Sequence, residues 1–450
     1  MNRNFLFFIS AVLVLVISLS GLTSCASSNV SPSEPIGMRF PDVHDVLIIK
    51  YDSKGDQVWQ NVEDLGEKDA SVPLNLDKSG NSYIIGSNYN VKYDSNGKQA
   101  YSNTFKDNNI TAYSSVLDEQ GNIYLTGYSN AGEIYLFRYD NNGNQIWAKH
   151  YKYPGNFDTR PSGITLDEAG NVYITGSTFI NAEVPDNNKL LIIKFDNNGN
   201  LLWSVKDGGL LQGNTTIGPV VDTSGNVYVT GFTQNATSYN YVTVKYDTRG
   251  TKQWETYYDG PASGYDVPHD LKVDSNGNVI VTGESDGLGN IREIATIKYD
   301  SGGTKLWVSR YVGTNGCGGT PSALTIDSQG NIYLTGRSFN GASGGDDYVT
   351  IKYDSNGQQL WDARYGGMGT GGLNEASALF VDDNGNVYIT GQCSLDSQYV
   401  TYDTVKYGPD GNKLWVARYS KTSFVDRPDK LMVNALGNVY LIGRVSHYNN

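Results

Sequence analysis

Two stretches decide the fold: Leu324–Gly336, LTIDSQGNIYLTG, and Val349–Trp361, VTIKYDSNGQQLW. Each consists of two short runs of alternating apolar and polar residues around a turn containing Gly, the pattern of a β-hairpin. Two such hairpins make a four-stranded unit. The Gly-Asn pair of the first stretch recurs with Asn81, Asn122, Asn171, Asn226, Asn278, Asn331, Asn386 and Asn438. The Trp that ends the second recurs as Trp59, Trp147, Trp203, Trp254, Trp307, Trp361 and Trp415, with Tyr101 in the slot between the first two. Successive Asn residues are 41 to 55 positions apart, which is the size of one propeller blade. The fold class is therefore all-β, a β-propeller of four-stranded antiparallel blades.

The strands are named a to d from the axis outward, for example a at Leu324–Asp327, b at Ile332–Gly336, c at Val349–Asp354 and d at Leu360–Tyr365. The repeating region begins with a c–d hairpin, Val46–Trp59, and ends with an a–b hairpin, Leu431–Gly443. Neither buries both faces alone, so together they are expected to close the ring as a composite blade. That gives eight blades, with seven as the alternative count. The two counts differ at Asn81–Tyr101, where the b–c connection is only Ser87-Asn88-Tyr89-Asn90. The Asp-x-x-Gly-Asn turns, such as Asp327–Asn331, suggest calcium, but Asp bonding its own backbone and Gly supplying positive φ is the simpler reading.

These repeats resemble SBBP-type bacterial β-propeller repeats, whose pattern is Asp-x-x-Gly-Asn-Val-Tyr-Val-Thr-Gly followed by Lys-Tyr-Asp-x-x-Gly-x-x-x-Trp. The resemblance covers about residues 45–450. It implies an exported propeller and no shared activity. Asp354, Gly357 and Trp361 are also similar to the Asp-x-x-x-Gly-x-x-x-Trp ending of quinoprotein and barrel-assembly propellers. That second likeness implies, as an alternative, an outer-membrane lipoprotein that helps insert β-barrels.

The sequence has 450 residues, 38% apolar, 18% charged and 12% aromatic, with 52 Gly and 33 Tyr. Charge is too sparse and aromatics too frequent for a disordered polymer. A net charge of −13 repels polyphosphate, so no nucleic-acid partner is expected. At the N-terminus, Phe5–Ser20 is an almost unbroken apolar run behind Arg3, followed by Leu-Thr-Ser-Cys ending at Cys25. This is similar to the signal and lipobox of bacterial lipoproteins. The expected organisation is a signal peptide over residues 1–25 with lipidated Cys25, a Ser- and Pro-rich tether over 26–44 and one propeller domain over 45–450. The expected address is the bacterial envelope, with a membrane partner through the lipid and a monomeric body.

Because strands alternate in direction, the uniform a–b and c–d turns lie on one face and the long, varied b–c and d–a connections on the other. These connections are read as Thr178–Lys189, Tyr257–Asp270, Arg337–Tyr348, Arg364–Ser377 and Arg418–Lys430. Variable loops on a rigid frame are where binding residues concentrate. The candidate ligand-binding residues are Asp158, Arg160, Tyr257, Tyr265, Asp266, Asp270, Phe339, Asn374, Glu375, Asp426 and Asp429, and a protein or glycan is the expected partner. Tyr258 and Phe424 belong to the same loops. Cys317 and Cys393 both fall on the variable face and are read as a candidate disulfide. No catalytic motif, metal site or cofactor is expected. The enzymatic alternative is a carbohydrate-active site pairing Asp266 with Glu375.

Overall fold

The computed structural model describes residues 43–64, 73–105, 110–154, 158–179, 189–207, 216–234, 238–289, 291–313, 316, 318–339, 345–367, 372–394, 400–420 and 425–447. They form eight four-stranded antiparallel sheets. Blade six is typical: a is Gly319–Ile326, b Ile332–Phe339, c Asp346–Tyr353 and d Gln359–Tyr365. The composite blade eight takes c and d from Val43–Tyr51 and Gln57–Glu63, and a and b from Val425–Val433 and Val439–His447. Its seam is continuous, running from Val43 opposite His447 to Tyr51 opposite Val439. Innermost strands of successive blades pack against one another all the way round, including from blade eight to blade one. Blade one is short but has all four strands, Leu74–Leu76, Ser82–Ile85, Tyr89–Tyr93 and Gln99–Thr104. The count is therefore eight.

Seven of the eight blades are locked to the next by the Trp of the d strand. The Trp361 indole N–H donates to the Pro409 carbonyl in the c–d turn of blade seven at 3.0 Å. A Cβ built on Gly411, whose φ is +82°, would lie 2.8 Å from the same ring. Only Gly adopts that backbone and leaves room for the indole. The contact crosses the seam on both sides: Trp415 donates to Ser53 at 3.1 Å under Gly55, and Trp59 lies under Gly97. In blade one Tyr101 fills the slot beneath Gly143. The c-strand Lys repeats the linkage. The Lys352 ammonium lies 4.9 Å from the centre of the Tyr333 ring and donates to the same Pro409 carbonyl at 3.4 Å.

The Asp turns are scaffold, as their chemistry suggested. One Asp327 oxygen accepts from the backbone N–H groups of Gln329 and Asn331; the other accepts from the Asn331 amide and the Tyr333 hydroxyl. Buried Thr hydroxyls pair b with c, as in Thr335 with Thr350 at 3.4 Å and Thr230 with Thr243 at 3.0 Å.

The strands run further toward the variable face than the sequence pattern indicates. The connection placed at Tyr257–Asp270 ends at Asp266, where strand a begins, and that at Arg364–Ser377 ends at Asn374. The cause is a β-bulge in strand a, between Pro268 and Asp270, Pro321 and Ala323, and Ala376 and Ala378. The bulge breaks the alternation without ending the ladder. It also explains the Gly that follows Thr in strand b: a Cβ on Gly336 would sit 2.1 Å from the Thr320 carbonyl.

W361A is expected to cost about 2–4 kcal/mol, somewhat below a fully buried aromatic because the ring is partly exposed. G411A should also destabilise, and the double variant should lose less than the sum, because both changes break one contact. Urea midpoints of the three variants check this.

Candidate functional site

The a strands bring several variable-face side chains to the channel mouth, most densely in blades five to seven. Strand a of blade five is Asp266–Val273, b is Val279–Gly287 and c is Ile291–Tyr299. The bulge turns His269 out of the alternation of its strand. Its Nε2 lies 3.8 Å from Oε1 of Glu284. Glu284 also accepts from the Thr320 hydroxyl at 2.6 Å and pairs with Arg292 at 3.2 Å. Arg292 reaches Asp286 at 3.5 Å. From blades six and seven, Arg337 and Glu375 act on His269 through their charges, and Arg337 pairs with Asp346 at 3.5 Å. Burial holds His269 below its ordinary value, against the pull of Glu284 and Glu375. Burial and the Glu375 charge raise Asp346, opposed by Arg337.

Beside this cluster runs a ladder of planar groups. Phe232, near the end of b in blade four, lies 5.2 Å from Tyr239 at the start of c, and Tyr239 lies 5.4 Å from Tyr265. The Arg292 guanidinium sits 4.3 Å from the centre of the Tyr265 ring. All four side chains are partly exposed. The ladder joins the mouth through Arg292.

Of the residues singled out from sequence, Tyr265, Asp270 and Glu375 belong to this region. Asp270 pairs with Lys272 at 2.9 Å and accepts from the Leu324 N–H of the next blade at 2.8 Å. Asp266 is fully buried; it accepts from the Gly260 N–H and the Ser285 hydroxyl and so holds its own loop. Asn374 is also buried, donating to the carbonyls of Asp346 and Gly366. Asp429 pairs with Arg444 at 2.7 Å inside blade eight. Asp158 and Arg160 are exposed at the start of blade three, with Arg160 5.1 Å from the centre of the Tyr128 ring. Tyr257 is exposed on an outer strand and donates to Glu255. Phe339 closes strand b of blade six, its carbonyl accepting from Arg364. The Asp426 side chain, Cys25, Phe424 and Cys317 lie outside the described residues. Cys393 is a buried free thiol whose titration is pushed up by burial.

The residues that sequence reasoning passed over are Phe232, Tyr239, His269, Glu284, Arg292, Arg337 and Asp346. Beneath them lies a repeated lock. Arg310, Arg364 and Arg418 on successive d strands pair with Glu293, Asp347 and Asp403 on c. Arg310 and Arg418 also donate to Tyr258 and Tyr365 of the preceding blades. The signal was available: Arg follows Trp by three residues in all three blades.

The sign of the His269 effect is fixed by its lowered value. Stability contributed by the neutral imidazole is present above pH 6.5 and is lost as the pH falls through the lower folded-state value. Relative to H269Q, the wild type should therefore lose stability between pH 7 and pH 5, read from urea midpoints. E375Q should lower the His269 titration further, followed by NMR of its ring protons.

The profile of the family described as outer membrane protein assembly factor BamB matches residues 44–290. The regulatory protein FlaEY of Caulobacter vibrioides is 32% identical over 141 residues, covering 28% of this chain and 13% of that protein. A solved puromycin hydrolase shares 12% identity over 82% of this chain and 56% of its own, with a TM-score of 0.48. A chain of a mitotic checkpoint complex shares 10% identity, covering 93% and 99%, with a TM-score of 0.43. Residues 44–290 span blades one to four, the a and b strands of blade five and the N-terminal half of the composite blade, and by that match this chain belongs to the family of the outer membrane protein assembly factor BamB.

Proposed function

We propose that the chain is an exported, lipid-anchored propeller of SBBP-type repeats that acts as a non-catalytic, protein-binding scaffold at the bacterial envelope. Residues 1–25 serve as the signal, with Cys25 lipidated, residues 26–44 as the tether and residues 45–450 as the binding body. The observation that carries this reading is the gathering of partly exposed aromatic and arginine side chains on the variable rim. Tyr and Arg dominate binding energy in protein interfaces because they combine a large apolar area with directed polar atoms. Membership of the BamB family supports a protein partner and an envelope setting. The burial of Asp266 argues against pairing it with Glu375 as an exposed catalytic couple, and the glycan partner has no feature that favours it over protein.

A photo-crosslinking residue placed at Tyr257 on the rim should capture a discrete protein in intact envelopes, whereas one placed at Asn276 in an a–b turn should not. Capture at Asn276 alone would defeat the reading. C25S should move the protein from the membrane fraction to the soluble fraction.

A further inference from the structure

The ladder and the mouth are continuous: Phe232, Tyr239, Tyr265 and Arg292 lead through Glu284 and His269 toward Asp346 and Glu375. Side-chain contacts join blades four, five and six along this surface, and Glu375 of blade seven acts on it through its charge. Its two parts differ in chemistry. The ladder offers planar faces with their edges partly exposed, and it ends in a guanidinium that is 49% exposed.

The mouth is short of positive charge. Four carboxylates, Glu284, Asp286, Asp346 and Glu375, face two guanidinium groups, Arg292 and Arg337. Asp270 is balanced by Lys272. Arg292 is shared between Glu284 and Asp286, and Arg337 meets Asp346 at 3.5 Å while 36% exposed. The Glu375 carboxylate makes no ion pair among the described residues. His269, which feels the charges of both Glu284 and Glu375, is held toward its neutral form by burial and by Arg337 and Arg292. Like charges confined at a partly desolvated mouth favour a cation supplied from outside.

We propose that the ladder and mouth form one docking strip for an extended polypeptide segment that carries basic side chains, with an aromatic or aliphatic residue lying on the ladder and a lysine or arginine entering between Glu375 and Asp346. This rests on the protein-scaffold reading above and deepens it by naming the chemistry of the partner. An acidic segment meets repulsion at the same place. Protonation of His269 supplies positive charge to the mouth and competes with the incoming cation.

The test is fluorescence anisotropy with the full-length protein in detergent and a labelled nonapeptide alternating lysine with phenylalanine. A matching peptide with glutamate for lysine and a chito-oligosaccharide serve as the other probes. The lysine peptide should bind, and salt should weaken it. The glutamate peptide and the saccharide should bind at least about tenfold more weakly. E375Q, D346N and Y239A should each weaken the lysine peptide by roughly tenfold, while N276A in an a–b turn on the opposite face does not. Lowering the pH from 7.5 to 5.5 should weaken the lysine peptide in the wild type more than in H269Q. Equal or tighter binding of the glutamate peptide, preferential binding of the saccharide, or indifference of the lysine peptide to both E375Q and D346N overturns the proposal. Circular dichroism and urea midpoints separate loss of binding from loss of fold. Crosslinking of a protein at the rim combined with failure of the lysine peptide would sink this strip and leave the scaffold reading standing; absence of any rim crosslink would sink that reading.

Discussion

Everything else in this molecule depends on a bulky ring sliding under a turn that has no side chain. A sheet of four strands has two faces to cover, and an isolated blade covers neither. The indole of one blade beneath the Gly of the next supplies an apolar contact and a hydrogen bond to the turn carbonyl, as Trp361 does with Gly411 and Pro409. The left-handed φ of that Gly and the flatness of the ring are one requirement expressed at two positions. The ring-under-glycine contact repeats across the seam, with the hydrogen bond at Trp415 beneath Gly55 and the packing alone at Trp59 beneath Gly97, and so ties the two ends of the repeating region into one mechanical circuit with the internal blades.

That circuit stiffens the face with short turns, while a different device stiffens the other. On the variable side the strands lengthen past their bulges, and the Arg locks of blades five, six and seven tie d to c and, through Tyr258 and Tyr365, to the preceding blade. Ion pairs of this kind contribute modest net stability, because desolvation offsets much of their attraction, but they penalise misregistered arrangements. The ladder and mouth lie beside these locked blades. A rigid base lets partly exposed aromatic and charged side chains hold position without the entropic cost of ordering them on binding.

The architecture was legible in the sequence because it is written eight times. Alternation, the Gly-Asn turn and the Trp slot each recur often enough that a degenerate copy such as Tyr101 still reads as a member of the series. The site was only partly legible for the opposite reason. Tyr265 and Glu375 stood out as loop-like residues before strand a, but Asp266 and Asn374 share that local pattern and turn inward to satisfy their own loops. Nothing local distinguishes the two outcomes, since both are polar residues near a bulge. His269 and Glu284 share one hairpin of blade five but face each other only because of the bulge, and Arg337 comes from blade six, 68 positions after His269, brought to the same opening by the curvature of the ring. The Arg locks were readable in principle, as Arg three residues after Trp, but a single charge on an outer strand reads as a solvated face until its acid on strand c is known.

Repetition also explains why chemical variety concentrates where the repeat fails. In a ring of equivalent blades, equivalent positions share an environment, so a side chain that recurs from blade to blade satisfies a demand of packing. The turn Asp, replaced by Asn434 in blade eight, the c-strand Lys, replaced by Arg138 in blade two, and the Thr pairs of blades four to seven are of that kind. At the bulge of strand a, by contrast, the positions that register with His269 in blade five are Ser322 in blade six, Ser377 in blade seven and Asp429 in blade eight. The backbone is the same and the chemistry is not, so the scaffold places no requirement on the identity of that residue. A mouth assembled from such unconstrained positions, with four carboxylates against two guanidinium groups in blades five to seven, costs the fold electrostatic repulsion that packing does not need. A ligand that brings its own cation removes that repulsion, which gives the imbalance a physical purpose that the rest of the ring lacks.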